Sequence, residues 1–290
     1  SDVCSSDLGP ANQHRFWTPA GSFINSSGDA FLSDTWLNTI WRLDSSGQMR
    51  PHLSDLSLGR RFVMGKDGAA YVTSPTHDSI RRIDASTRVA TIWAGANRLS
   101  KADGTPILNA DINPTDIALG QDGLIYFTDS ANHRVRRISV DGKIETVAGT
   151  GAMGTPKPGD AASSSPVPFP ADISLDSLGR VYFRTAELFG KIYRVDSQRR
   201  IELLVDPIEL YKADPFRRPP GTFSGITISK AAPNGDLYFF DRELRRIILR
   251  SASGRFGTVA GGGTKPFRAG SVATDVRIGK VSYQIGRAHV

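Results

Sequence analysis

The sequence predicts an all-β fold, a β-propeller of four-stranded antiparallel blades, with five blades visible. Two observations lead to this prediction. A four-residue phrase, apolar–any residue–Arg–apolar, recurs five times. Each copy lies within a set of short apolar runs that are separated by turn residues. Small sheets repeated along a chain are typical of propellers, because each blade covers the faces of its neighbours.

Each repeat can be divided into four predicted strands. The arginine of the phrase is, in chain order, Arg42, Arg82, Arg137, Arg194 and Arg246. In the third repeat an inner run, IAL (117–119), is followed by a glycine turn with an aromatic strand, DGLIYFTD (122–129), and the fourth run is ETVAG (145–149). Val, Ile, Tyr and Phe favour strands, and Gly, Asp, Ser and Asn favour the turns between them. No amphipathic helix is predicted.

The two ends do not read as protein sequence. DVCSSD (2–7) and IGRAHV (285–290) can be encoded by one DNA word and its reverse complement. We therefore expect residues 1–8 and 285–290 to derive from a sequencing adapter, which leaves one partial propeller domain over residues 9–284 of a longer protein. A propeller without one blade exposes sheet edges, so we expect this part alone to self-associate and the intact protein to be monomeric.

Composition excludes several classes of protein. With 39% hydrophobic residues, the chain has no apolar stretch near the roughly 20 residues that a membrane-spanning helix needs. One cysteine excludes a disulfide framework. A formal net charge of +7 permits an acidic partner without identifying one.

The repeat resembles a known family. NHRVRRI (132–138), VAGTG (147–151) and the Asp-Gly turn before an aromatic strand resemble NHL repeats, most closely over residues 113–151. The resemblance implies six blades in the intact protein. Some NHL domains bind RNA through a basic top face, so the resemblance also leaves an RNA-binding role open. Bacterial members are often exported, which implies an extracytoplasmic location.

Three charged residues directly precede predicted inner strands, where a propeller has the rim of its central channel. They are Arg61, Asp116 and Asp172. Paired carboxylates can hold a divalent cation, so Asp116 and Asp172 are candidate metal ligands, and no other cofactor is predicted. Similar six-bladed propellers, the gluconolactonase-type lactonases, hold a divalent metal at this place. The alternative is that each aspartate caps the loop before its strand.

Further candidates lie in loops on the same face. Trp36 and Phe189 are candidate binding anchors, and His133 lies in a turn beside them. The alternatives are that the two aromatic residues pack between blades and that His133 is an ordinary solvent-exposed turn residue. The Gly-rich run GTGAMG (149–154) is excluded as a dinucleotide loop, because Pro156 and Pro158 prevent the helix that such a loop needs.

The chain contains no complete catalytic motif, neither H-E-x-x-H, paired cysteines nor G-x-S-x-G. The leading functional prediction is therefore a non-catalytic binding module for a protein, peptide or glycan. Two alternatives remain open: an enzyme of the lactonase or streptogramin-lyase type with a metal at the channel, and an RNA-binding module. The repeat arginines are interpreted as partners of aspartates on the preceding strands, namely Asp34, Asp129 and Asp241.

Overall fold

A computed structural model describes most of the chain. The described residues are 9–10, 16–17, 19–25, 27–54, 61–187, 190–213, 225–242, 244–263, 265–266, 271–276 and 278. They form five antiparallel sheets that follow one another along the chain, which confirms the all-β propeller with five blades. The predicted adapter segments, residues 1–8 and 285–290, lie outside the described residues, and so does Phe189.

Each blade is a meander whose strands run in chain order from the inner to the outer edge. Blade 1 consists of β1 (Gly9–Pro10), β2 (Pro19–Ile24), β3 (Ala30–Asp34), β4 (Thr39–Leu43) and β5 (Gln48–Leu53), with β1 added to the outer edge of β5. Blade 2 consists of β6 (Phe62–Met64), β7 (Ala70–Ser74), β8 (Ser79–Ile83) and β9 (Ala90–Ala94). Blade 3 consists of β10 (Pro114–Leu119), β11 (Ile125–Asp129), β12 (Arg134–Ile138) and β13 (Ile144–Ala148). Blade 4 consists of β14 (Pro170–Leu175), β15 (Val181–Thr185), β16 (Ile192–Val195) and β17 (Ile201–Val205). Blade 5 consists of β18 (Ile226–Ala231), β19 (Leu237–Asp241), β20 (Arg246–Arg250) and β21 (Phe256–Gly261).

The apolar core lies between successive blades. Four clusters of buried side chains join blade 1 to 2, 2 to 3, 3 to 4 and 4 to 5. Phe127, for example, is fully buried in the cluster between blades 2 and 3, and burial of such a side chain contributes about 1.5–3 kcal/mol. Among the described residues no such cluster joins blade 5 to blade 1.

The alternating strand directions separate two faces of the propeller. The turns between first and second strands and between third and fourth strands, such as 65–69 and 139–143, lie on one face, which we call the turn face. The turns between second and third strands, such as 75–78 and 130–133, lie on the opposite face, which we call the loop face. The blade-to-blade connections begin and end on the loop face.

Two of these connections also cover the outer edges of blades. In the connection 95–113, the Gly104 N–H donates to the Ile144 carbonyl (2.9 Å) and the Ile144 N–H donates to Thr105 (3.0 Å). In the connection 149–169, the Gly159 N–H donates to the Ile201 carbonyl (2.8 Å). Pairing of an outer strand satisfies backbone groups that would otherwise attract another chain. The middle parts of these two connections therefore lie along the sheet edges and not on the loop face.

The segment after blade 5 repeats the beginning of the connection 95–113. The Gly261 N–H donates to the Ala273 carbonyl as the Gly95 N–H donates to the Ile107 carbonyl, both at 2.8 Å. Bridges between Lys265 and Val276 and between Ser100 and Ala110 are likewise equivalent. The segment after blade 5 thus has the same backbone pairing as the connection that leads into blade 3.

One short helix, α1 (Pro207–Ala213), lies between blades 4 and 5, although the sequence predicts none. Asp206 accepts the Ile208 N–H at 2.9 Å, and proline at the first helical position suits a helix start. A helix of seven residues is too short to give a periodic signal in the sequence. None of the helices in the described part of the chain is long and apolar enough to cross a membrane.

Candidate functional site

The three predicted rim residues meet at the inner strands of blades 2, 3 and 4. Arg61, Asp116 and Asp172 are 8%, 1% and 4% exposed. The Arg61 guanidinium lies 3.9 Å from an Asp116 carboxylate oxygen and 3.8 Å from an Asp172 oxygen. One arginine thus bridges two carboxylates from different blades, and we call these residues and their ionic partners the rim cluster.

Two further cations complete the rim cluster, and sequence reasoning missed both. Arg184 on β15 lies opposite Asp172 in register, and its Nε donates to that carboxylate. Lys230 on β18 donates to an Asp116 oxygen (3.2 Å) and to the Ile173 carbonyl (2.7 Å). A lysine in the otherwise mostly apolar inner strand ITISKA was the available signal for Lys230.

The arrangement leaves the two carboxylates saturated with partners. Asp116 accepts the backbone N–H of Ile117 (3.0 Å) and of Ile173 (2.9 Å) besides its ionic contacts. Three cations face two carboxylates, so the cluster has one excess positive charge. The described residues contain no group of three or more His, Cys, Asp or Glu that could hold a metal ion. The rim cluster therefore ties the inner strands of blades 2, 3 and 4 to one another and to blade 5.

The rim cluster predicts that the stability of the protein depends on pH through Asp172. Burial favours a higher pKa for this carboxyl, but Arg184 and Arg61 outweigh burial and hold its pKa below the ordinary value of 3.8. A carboxyl with a depressed folded-state pKa stabilises the protein above its unfolded pKa, and the contribution is lost as pH falls through the folded pKa. We expect the free energy of unfolding to fall below about pH 4, and to fall less in Asp172→Asn.

Urea unfolding followed by circular dichroism between neutral and acid pH measures this dependence. Asp160→Asn, at an exposed position in the connection 149–169, is the matched control and should keep the wild-type pH profile. The same profile in Asp172→Asn would contradict the assignment.

Beneath the rim cluster the inner strands enclose a cavity of about 180 Å³. Phe62, Ile117 and Leu175 provide apolar lining, and Ser174 and Lys230 provide polar atoms. The cavity is small and has a mixed polar and apolar lining, and the ammonium of Lys230 in its wall is directed to Asp116.

Two tryptophans are exposed on the loop face beside blade 1. Trp36 is 73% exposed and Trp17 is 61% exposed, so the interpretation that Trp36 packs between blades is wrong. The fully buried Asp34 carboxylate accepts the N–H of Trp36 (3.0 Å) and the N–H of Trp17 (2.7 Å). One carboxylate therefore holds the backbone of both residues in neighbouring positions.

His133 lies on the loop face beside an aromatic residue that the sequence did not indicate. The ring centroids of His133 and Phe169 are 4.5 Å apart in an edge-on arrangement, and the Phe169 N–H points to His133 Nδ1 at 3.3 Å. Burial and the charge of Arg134 lower the pKa of His133, which favours the neutral ring that accepts this contact. His133 is thus a partner of Phe169 and not an isolated turn residue.

Phe169 has a strained backbone. Its φ is +41°, and the equivalent position in blade 5 is Gly225 with φ +74°. The carbonyls of both residues accept an N–H from the residue after the second strand, Ala186 or Arg242. A bulky residue with positive φ is rare and costs about 1–3 kcal/mol, and such residues cluster at functional sites.

The repeat arginines lie towards the turn face and not at the site. In blades 1 to 4 each faces an aromatic residue of the second strand; the pairs are Phe31 with Arg42, Tyr71 with Arg82, Tyr126 with Arg137 and Tyr182 with Arg194. Their carboxylate partners are Asp29, Asp67 with Asp84, Glu145 and Glu202, respectively. The predicted pairing with Asp34 and Asp129 is wrong, because those side chains bond to loop and turn groups at the other end of the strand.

Arg246 does not occupy the repeat position. It lies opposite Asp241 and contacts that carboxylate at 3.2 Å, whereas Leu249 faces Tyr238 at the position of the other repeat arginines. In blade 5 the four-residue phrase lies three residues N-terminal to its position in the other blades and begins in the turn before β20. Its arginine therefore matches the repeat in sequence but not in strand register.

Asp129 is paired instead with Arg136, and both side chains are fully buried. Their closest N···O distance is 3.1 Å, and Arg136 also donates to the Lys101 carbonyl and lies 3.6 Å from Asp103. Burial raises the pKa of Asp129 and lowers the pKa of Arg136 despite their mutual attraction. This pair ties the connection 95–113 to the middle of blade 3.

Comparison with known proteins gives one family match and several structures of similar fold. Residues 112–138 match the family model described as NHL repeat. A curated relative, Protein SUPPRESSOR OF QUENCHING 1, chloroplastic, from Arabidopsis thaliana, is 29% identical over 122 residues, which are 39% of this chain and 11% of that protein. The chain therefore matches only a small part of that relative's length.

The similar solved structures share the fold at low sequence identity. Virginiamycin B lyase from Staphylococcus aureus has a TM-score of 0.51 and 20% identity, covering 83% of this chain and 69% of that one. A gluconolactonase from Xanthomonas campestris has a TM-score of 0.56 and 13% identity, covering 84% and 76%. An auxiliary nutrient binding protein from Bacteroides thetaiotaomicron has a TM-score of 0.59 and 13% identity, covering 94% and 65%. Enzymes and a binding protein thus share this architecture, so the fold alone does not distinguish a catalytic from a binding function.

Proposed function

Because the chain is a β-propeller that carries an NHL repeat, we propose that it is a non-catalytic binding module. Its loop face binds a protein, peptide or glycan through exposed aromatic side chains. The observation that supports this most directly is the pair of tryptophans that Asp34 holds on that face. Aromatic residues are enriched among those that contribute most to binding energy.

A second aromatic group supports the same face. Phe169 is 38% exposed although its backbone is strained, and His133 supports its ring. An aromatic side chain held on a rigid sheet loses little conformational entropy when it binds, which favours affinity. Trp17, Trp36 and Phe169 therefore form the proposed contact set.

Charge on the loop face favours an uncharged or mixed-charge partner over nucleic acid. Arg98 contacts Asp78 (2.8 Å) and Asp111 (3.3 Å), and Lys101 contacts Asp111 (3.5 Å). Binding to the phosphate backbone depends on basic groups that are free to replace counterions. These cations already have carboxylate partners within the chain.

We expect Trp36→Ala and Phe169→Ala each to weaken binding by about tenfold or more, because truncation of an aromatic anchor removes most of its contact area. Arrayed glycans and a displayed peptide library identify a ligand, and titration of that ligand against each variant measures the loss. Val140→Ala is the matched control, since Val140 is 93% exposed on the turn face.

The control should bind as the wild type does. Equal binding by all variants would exclude the loop face. Capture of a labelled single-stranded RNA with a steep salt dependence, in place of glycan or peptide, would overturn the choice of partner.

The metal-enzyme alternative makes a different prediction at the rim cluster. Because Asp116 and Asp172 already face Arg61, Arg184 and Lys230, a divalent cation gains little from them. We expect millimolar Ca²⁺, Mg²⁺ or Zn²⁺ to change the melting temperature by less than about 1 °C. A rise of several degrees that EDTA reverses would favour the enzyme, and lactone hydrolysis would then be assayed.

A further inference from the structure

Blades 2 and 3 enclose a second cavity, of about 290 Å³, that opens on the turn face. We call it the interblade pocket. Tyr71 and Trp93 form its wall on blade 2, and Leu119, Ile125 and Ile138 form its wall on blade 3. It lies on the face opposite to the aromatic residues of the proposed function and is independent of them.

The pocket exists because blade 2 departs from the packing of its neighbours. The equivalent tyrosines of blades 3 and 4, Tyr126 and Tyr182, are 5% and 1% exposed, whereas Tyr71 is only partly buried and lines the pocket. Trp93 occupies the strand position that Val147 has in blade 3. The interface between blades 2 and 3 therefore has an aromatic wall and an open volume.

The aromatic wall is rigid. The Tyr71 and Trp93 rings pack edge-on with centroids 4.6 Å apart, and the Tyr71 hydroxyl lies 3.3 Å from the Asp67 carboxylate. Asp67 is in turn paired with Arg82 at 2.8 Å. The lining combines these aromatic and apolar side chains with the polar groups of Lys66, Asp67 and Ser139, and small-molecule sites are typically apolar with a few placed polar groups.

One cation lies at the mouth of the pocket. Lys66 extends from blade 2 to blade 3, where its ammonium is 3.4 Å from the Gln121 carbonyl and its stem passes Gly123. In the described part of the chain no carboxylate lies within ion-pair distance of this ammonium. Asp67, which also lines the pocket, pairs with Arg82 at 2.8 Å, and Arg82 pairs with Asp84 as well at 3.1 Å.

We propose that the interblade pocket binds a small apolar monocarboxylic acid. Its ring or hydrocarbon chain packs against Tyr71 and Trp93, and its carboxylate meets the Lys66 ammonium at the mouth. The apolar walls recognise the body of such a ligand, and the single cation without a carboxylate partner recognises its one negative charge.

Titration calorimetry with two probes of the same shape tests the proposal. The probes are 2-naphthylacetate and its neutral amide, 2-naphthylacetamide. We expect the carboxylate to bind roughly three- to tenfold more tightly than the amide, because only the carboxylate pairs with Lys66. Absence of saturable binding by either probe would overturn the proposal.

Variants separate the two contributions. Lys66→Gln should remove the preference for the carboxylate and leave the amide affinity unchanged. Trp93→Val, which introduces the residue that blade 3 has at this position, should weaken the binding of both probes. Lys157→Gln makes the same charge change on an exposed lysine of the connection 149–169 and should alter neither.

A carboxylate preference that persists in Lys66→Gln would show that Lys66 is not the cation that binds the anion. A preference that is lost in Lys157→Gln as well would show that net charge binds it, and either result would overturn the proposal. Far-ultraviolet circular dichroism confirms that each variant is folded.

Discussion

Arg136→Met should lower the free energy of unfolding by about 3–5 kcal/mol. The change leaves the Asp129 carboxylate fully buried without its cation. It also removes the hydrogen bond to the Lys101 carbonyl, so the connection 95–113 loses its attachment to blade 3. Chemical unfolding monitored by tryptophan fluorescence measures the loss.

Arg137→Met is the matched control, on the next residue of the same strand. Arg137 is only partly buried and pairs with Glu145 at 2.7 Å, and exposed pairs of this kind contribute about 1 kcal/mol or less. The pKa directions of Asp129 and Arg136 show that burial opposes both charges, so removing both charges should be less harmful than removing one. We expect Arg136→Met/Asp129→Asn to recover part of the stability, and equal loss in the single and double variants would contradict this account.

Asp116→Asn should lower the free energy of unfolding by about 3 kcal/mol, whereas Lys230→Met should lower it by about 1 kcal/mol or less. The difference follows from the charge count of the rim cluster. Without Asp116, three cations face one carboxylate in a buried site, but without Lys230 two cations face two carboxylates. The lost hydrogen bond from Lys230 to Ile173 accounts for the remaining cost.

Thermal and urea unfolding of the two variants measure this asymmetry under identical conditions. If Lys230→Met were as destabilising as Asp116→Asn, the cluster would depend on hydrogen-bond geometry and not on charge balance. The two variants also test the contact between blades, because Lys230 belongs to blade 5 and Asp116 to blade 3.

The rim cluster could be predicted only in part from the sequence. Arg61, Asp116 and Asp172 were identified because each precedes an inner strand, and the three do meet. Their ionic partners were not predicted, since Lys230 reaches the cluster from 114 positions along the chain. Two carboxylates at the channel rim predict a metal site from sequence, but the structure adds three cations that face the same two carboxylates.

Strand register and contacts between blades were also hard to predict from the sequence at other positions. Arg246 matched the repeat in letters, but strand register assigned its place to Leu249. The sequence did not indicate Phe169, because a positive φ is a property of the folded backbone. Trp93 has the pattern of an ordinary strand residue in the sequence, and only the structure shows that it lines a cavity.

The sequence by itself determined the four-stranded blade, its glycine turns and its repetition, because strand alternation and turn chemistry are local properties that recur with each unit. Tertiary structure alone decided which side chains of different blades meet: the rim cluster, the buried Arg136–Asp129 pair and the interblade pocket. Such contacts depend on the radial arrangement of the blades, which brings together residues more than fifty positions apart and is not encoded in any one repeat.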